Sequence, residues 1–346
     1  MSVVKEMFSR KRVLPLLLIL AMIAMYYWRK PTKLIELHGQ TFGTISYTIK
    51  YKDKQQRDFK NSIDSLLDVF NDAVSHYRPT SELSRFNKDS TVAFELPFMF
   101  PVLTASKHVY DATNGGFNPA VMPLVNAWGF GPDKSLEPDS LLIDSLRTFS
   151  NFNLVEFDKN KAWKLDVRVQ LDFSSVAKGQ GVDIVLAFLQ SKGIEDIFVE
   201  IGGEVNARGT NAKEEPWRIA ILDPISDAIN QSYIAVVDLQ DKAVATSANN
   251  FNYIIKNGVR YSHTLNPFTG YPTHNTILSA SVFANNCMTA DAYATAFMAL
   301  GQEKAKEIAK AQSEIEVYLV YSLPDGSTET FISEGIKGVL HEQTVK

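Results

Sequence analysis

The 346 residues are 45% hydrophobic, enough to bury one large core or two modest ones, which excludes a disordered chain. A net charge near −4, with no long basic run outside the N-terminus, argues against a nucleic-acid partner. The single Cys287 excludes an intrachain disulfide framework and a cysteine-based metal cluster.

Arg10, Lys11 and Arg12 precede an uncharged apolar run from Val13 to Trp28. The run is short beside the roughly 20 apolar residues of a spanning helix, and neither a small-x-small cleavage site nor a lipoprotein cysteine follows it. Tyr26, Tyr27 and Trp28 ahead of Arg29 and Lys30 form an interfacial belt that favours an uncleaved anchor. The expectation is a cytoplasmic n-region over 1–12, a signal anchor or signal peptide over 13–28, and one folded body over 34–346 outside the cytoplasm.

From Leu34 the alternation through Ile45, Tyr47, Ile49 and Tyr51, with Phe42-Gly43-Thr44 at its start, predicts a first strand. Phe59, Ile63, Leu66, Leu67, Phe70 and Val74 recur at helical spacing and predict a helix that stops before Pro79. The polar turn from Ser75 to Leu83 puts His76 on the surface. A second helix is expected from Pro101 to Thr113. It runs into Asn114-Gly115-Gly116-Phe117-Asn118-Pro119, where the paired glycines serve either a helix end or the close approach of a ligand. Leu124 to Gly131, with Trp128-Gly129-Phe130-Gly131, reads as an aromatic loop that packs inward or lines a pocket. Asp133 to Asn153 reads as a loop and an exposed helix.

The stretch from Leu171 to Asp183 ends an apolar run in Asp172, two serines and Lys178 beside Gly179 and Gly181, ahead of a helix expected over Gly181 to Ser191. Small polar residues at a helix start suit a phosphate-bearing ligand, and a plain strand-to-helix turn with a solvated lysine fits the same residues. A buried strand then turns at Ile201-Gly202-Gly203-Glu204, and strands follow at Trp217–Leu222, Tyr233–Leu239 and Ala243–Ser247. His263 comes just before the turn at Asn266-Pro267; the absence of a Gly-x-Ser-x-Gly elbow excludes a serine hydrolase built on Ser262. A helix from Met288 to about Gln312 carries Asp291 and Thr295 on one face, where a carboxylate and a hydroxyl suit Mg²⁺ and an ordinary dipole-stabilising aspartate would look the same. A final strand from Glu316 to Tyr321 and a hairpin close the body. Mixed helices and mainly antiparallel strands make the fold class α+β.

In order and spacing, these punctuations resemble the ApbE family of flavin transferases from about Gly39 to Gly338. The residues that carry the resemblance are Phe-Gly-Thr at Phe42, Tyr77 with Ser81-Glu82-Leu83, Asn-Gly-Gly-Phe-Asn-Pro with Trp-Gly-Phe-Gly, and Leu-Asp-x-Ser-x-Val-Ala-Lys-Gly. Ile-Gly-Gly-Glu, Ala-Thr-Ser, Ser-His-x-x-Asn-Pro-x-Thr-Gly and Ala-Asp-Ala-x-Ala-Thr complete the set. The resemblance implies a two-lobed single catalytic domain that binds FAD with Mg²⁺, joins FMN through a phosphoester to a threonine of a partner protein and releases AMP. The implied acceptor carries a Ser/Thr-Gly-Ala-Thr type motif on a subunit of a membrane electron-transfer complex or an extracytoplasmic flavoprotein. This agrees with an inner-membrane anchor and a catalytic domain facing the periplasm. It implies His263 as general base, Asp291, Thr295 and the Ser175 carbonyl as magnesium ligands, and Phe42, Tyr77, Gly116, Phe117, Asn118, Asp172, Lys178 and Leu265 as FAD contacts. Against the family pattern, Phe42 replaces a common methionine, Asn118 an aspartate and Ala248 a glycine. FAD hydrolysis to FMN and AMP, and a non-catalytic membrane-tethered FAD-binding module, are the two rival readings.

Overall fold

A computed structural model describes Pro15, Ile19 and residues 33–132, 138–226, 231–248, 253–256, 259–273 and 276–342. The expected anchor over 13–28 lies almost wholly outside them, and among the described residues no helix is long and apolar enough to cross a membrane.

The strands, in chain order, are β1 (Leu34–Thr41), β2 (Ile45–Lys52), β3 (Thr91–Ala93), β4 (Val155–Phe157), β5 (Lys161–Lys164), β6 (Ile197–Ile201), β7 (Glu204–Arg208) and β8 (Trp217–Leu222). They continue with β9 (Tyr233–Leu239), β10 (Lys242–Ala248), β11 (Tyr253–Lys256), β12 (Val259–Ser262), β13 (Ile277–Ala284), β14 (Ile315–Ser322), β15 (Thr328–Ile332) and β16 (Leu340–Glu342). The helices are α1 (Lys60–Val74), α2 (Glu82–Lys88), α3 (Met99–Ala112), α4 (Met122–Trp128), α5 (Ser140–Arg147), α6 (Ala177–Ser191), α7 (Cys287–Leu300) and α8 (Gln302–Ala311).

Every strand pair is antiparallel, in keeping with the α+β expectation. Among the described residues the main sheet has the order β1-β2-β6-β7-β10-β13-β14-β15, and β16-β9-β8, β3-β5-β4 and the pair β11-β12 form three smaller ones. One face of the main sheet packs on the small sheet through Val205, Trp217, Val237, Phe283 and Tyr318. Its other face carries α6 and α7. The apolar faces of β2, β6, α1 and α6 meet around Ile49, Leu67, Val185 and Val199. Tyr293 and Phe297 of α7 sit in the largest core, beside Phe70, Phe117 and Phe173.

Several elements differ from the sequence pattern for local reasons. The first strand is a hairpin, because Phe42 and Gly43 both take positive φ and reverse the chain between β1 and β2. Helix α6 begins at Ala177, so Lys178 and Gly179 lie in its first turn rather than ahead of it. The long helix expected from Met288 is two, separated at Gly301, whose positive φ ends α7 before α8 begins.

Candidate active site

A cavity of about 920 Å³ opens where the main sheet, the small sheet and the helical side meet. That size lies toward the top of the roughly 300–1,000 Å³ typical of ligand pockets. Its wall contains Tyr77, Gly116, Phe117, Asn118, Asp172, Ser175, Lys178, His263, Leu265, Asp291 and Thr295, drawn from segments more than 200 residues apart in sequence. Phe42 is the exception among the residues singled out above. Its ring does not line the cavity but packs edge-on against Phe70, with centroids 5.8 Å apart.

The centre of the site is the junction of α6 with α7. Asp291 Oδ2 accepts the N–H of Gly179 at 3.0 Å, and Asp183, two turns into α6 from Ala177, accepts the N–H groups of Cys287 (2.8 Å) and Met288 (2.9 Å) at the start of α7. Such close contact needs glycine at 179, where a Cβ would stand 2.4 Å from the Cys287 carbonyl oxygen. Asp291 and Thr295 follow one turn apart on α7, and the Thr295 hydroxyl lies 3.4 Å from that of Ser247 on β10.

Lys178 lies between two buried carboxylates, hydrogen-bonded to Glu204 and 3.9 Å from Asp291 Oδ1. Glu204 reaches it from the tight β6–β7 turn, in which Gly202 and Gly203 both take positive φ. Burial, opposed by Lys178 and reinforced by Asp291, pushes Glu204 up to about 7. Burial likewise raises Asp291, against the pull of Lys178 and the Gly179 N–H. Burial works against the charge on Lys178, but Asp291 and Glu204 together hold its ammonium above the ordinary lysine range.

These groups fit a hard cation. Two buried carboxylates face one ammonium, Glu204 Oε2 is buried without a hydrogen-bond partner, and Ser175, Ser247 and Thr295 add oxygen donors on the same wall.

A second cluster lies at the mouth. His76 is not a surface residue: its side chain is only 9% exposed, its Nδ1 lies 3.4 Å from Asp172 Oδ1, and its ring lies tilted by 48° against that of Tyr77, with centroids 4.1 Å apart. Burial raises Asp172, yet His76 and the hydroxyl and N–H of Ser174 outweigh it and hold the carboxyl below its ordinary value. Tyr77 is 67% exposed. Glu204 on the wall and His76 behind Asp172 are polar residues that the sequence did not assign to the site. A buried partner carboxylate is the only signal that sets His76 apart from a solvated histidine, and it lies 96 positions away.

His263 enters at the cavity edge on a short loop after β12. The loop is braced by Thr273 N–H donating to Thr264 O (2.9 Å) and Asn266 N–H donating to Tyr271 O (2.8 Å), and by the Trp128 indole donating to Gly270 O at 2.8 Å. Trp128 is therefore a strut for this loop, while Gly129 and Phe130 line the cavity.

The chain matches the model of the ApbE family over residues 42–319. It is 37% identical over 308 residues to "FAD:protein FMN transferase" of Vibrio cholerae serotype O1, covering 87% of this chain and 91% of that relative. The corresponding protein of Escherichia coli K12 is 32% identical over 320 residues, covering 89% and 90%. Among solved structures, the flavin transferase ApbE from Vibrio cholerae superposes with a TM-score of 0.79 at 35% identity, covering 89% of this chain and all of that one. With a matched family, matched relatives and a matched α+β fold, the chain belongs to the ApbE family and is an enzyme of the transferase class.

Proposed function

We propose that the chain transfers the FMN half of FAD to a threonine hydroxyl of a partner protein, forming a phosphoester and releasing AMP. The observation that carries this reading is the convergence of His263, Lys178, Asp291 and Thr295 on one cavity large enough for a dinucleotide. His263 takes the hydroxyl proton as the threonine oxygen forms its bond to the FMN phosphorus, and the bond from that phosphorus to the AMP oxygen breaks. Lys178 holds positive charge beside the pyrophosphate, and Phe117 and Tyr77 offer aromatic surface to the ligand's rings. Mg²⁺ would be held by Asp291, Thr295 and the Ser175 carbonyl, and when bound would draw charge from the pyrophosphate and ease the departure of AMP. Thr295 serves through its oxygen, already turned toward Ser247.

The acceptor we propose is a Ser/Thr-Gly-Ala-Thr segment on a subunit of a membrane electron-transfer complex or on an extracytoplasmic flavoprotein. Residues 13–28 would tether the enzyme to the inner membrane with the catalytic domain on the periplasmic side, where such an acceptor is exposed. The test is incubation of the purified chain with FAD, Mg²⁺ and an acceptor domain bearing that segment. The expected product is an acceptor that stays fluorescent through denaturing electrophoresis. FMN and AMP without a labelled acceptor would replace this reading with FAD hydrolysis.

A further inference from the structure

Strand β8 is an edge strand. It pairs with β9 on one side only, and no described strand or loop hydrogen-bonds its other side. Natural edges are usually shortened, charged or covered, because unpaired N–H and C=O groups recruit further strands. This edge is six residues long and its last three, Ala220, Ile221 and Leu222, line the cavity wall that also holds His263. Its side chains alternate: Trp217 and Ile221 are buried against the main sheet, while Arg218, Ala220 and Leu222 face outward. At the end of the strand, Leu222 and its β9 partner Tyr233 are 42% and 45% exposed, and Ile225 just after it is 66% exposed.

We propose that the open edge of β8 binds the acceptor polypeptide as an added strand, so that the strand's own backbone guides the acceptor threonine into the cavity. The inference rests on the transferase reading above for the nature of the occupant, an extended polypeptide bearing a hydroxyl. Strand addition suits an enzyme that must present one side chain of a protein to a deep site. The backbone ladder supplies affinity without regard to sequence, alternate side chains point away from the edge strand's plane, and the exposed apolar residues accept the flanking ones. The C-terminal half of β8 lies on the cavity wall, so a strand added along it would be carried toward the cavity.

Two measurements separate this proposal from the transferase reading. The full-length enzyme is mixed with FAD, Mg²⁺ and a synthetic peptide containing Ser-Gly-Ala-Thr, alone or with a single backbone N-methyl group stepped along it. The expected result is a period of two: methylation at alternate positions slows flavin labelling by about tenfold or more, through a lost hydrogen bond and a steric block, and at the intervening positions leaves it within about twofold. Uniform tolerance or uniform loss along the peptide overturns the proposal. Hydrogen exchange of the enzyme with and without excess peptide is read in parallel, with slower exchange expected within Arg218–Leu222. Unchanged exchange there overturns the proposal whatever the labelling shows. Protection in the presence of peptide, with no labelling of the unmethylated peptide, sinks the transferase reading and keeps the docking edge. Protection by a second copy of the chain in the absence of peptide assigns the edge to self-association and overturns the proposal.

Discussion

The Asp291 carboxylate accepts the backbone N–H of Gly179 at 3.0 Å, so the first turn of α6 and the second turn of α7 are locked together at the point where a cation would sit. Because a Cβ at 179 would stand 2.4 Å from a backbone oxygen of α7, the contact has no room to relax. Gly179→Ala is expected to lower stability by about 1–3 kcal/mol, the usual range for overpacking, and flavin transfer by at least tenfold. Thermal unfolding read beside the transfer rate checks it; an unshifted Tm with full activity would show that the helices part freely.

Asp291→Ala removes the one carboxylate proposed to touch the metal. Metal-dependent turnover should vanish, and calorimetric titration with Mg²⁺ should lose its heat while the fold is retained. Turnover at the parent rate would move the metal site elsewhere.

For His263→Ala, transfer to the acceptor should fall about 10²–10⁴-fold, the ordinary contribution of a positioned general base, with FAD affinity within a few-fold of the parent. Fluorescence labelling gives the first quantity and FAD titration the second. Equal losses in both would make His263 a binding residue only.

His76→Phe keeps an aromatic ring beside Tyr77 but removes the partner of Asp172. The expected outcome is a KM for FAD raised about 3–10-fold with kcat less affected, since the 3.4 Å polar contact of His76 with the Asp172 carboxylate on the cavity wall is lost. A change confined to kcat would place His76 in the chemical step instead.

Asp53 gives the pH dependence. Its carboxylate accepts Arg57 Nε at 2.7 Å and Nη2 at 3.1 Å, and these bonds, against the cost of burial, hold it down to about 2. The folded value lies below the unfolded one, so the stabilisation is fully present above about pH 4 and is lost as pH falls toward 2. Asp53→Asn should lose on the order of 1–2 kcal/mol at pH 7, discounted for the solvent around the guanidinium, and only a small part of that at pH 2, where the folded carboxyl is half protonated. Chemical denaturation at the two pH values reads the difference directly.

Regular elements were legible where one period dominates: the bounds of β8 and β9 match the alternation in their sequences, and α1 matches its apolar stripe. The start of α6 was not, because Ala177 to Gly181 contains two glycines and no apolar stripe, and only the packing of α7 against it rewards a helix there. Most of the candidate site was legible through its punctuation, which brought His263, Asp172, Lys178, Asp291 and Thr295 to one cavity. The buried ion cluster was not: Glu204 reads as a turn residue until β7 carries it to Lys178. Phe42 shows the reverse, a motif residue whose side chain serves the core through Phe70.

Helix α7 is enclosed on nearly every side, with Ala290, Ala292, Ala294, Ala296 and Ala299 packed against its neighbours. For protein engineering this divides the molecule. If the edge of β8 takes the acceptor as proposed, retargeting the enzyme toward a new acceptor is a matter for the outward-facing positions Arg218, Ala220 and Leu222. The alanine positions of α7 admit no such library, since any added methylene there displaces the helix that carries Asp291 and Thr295.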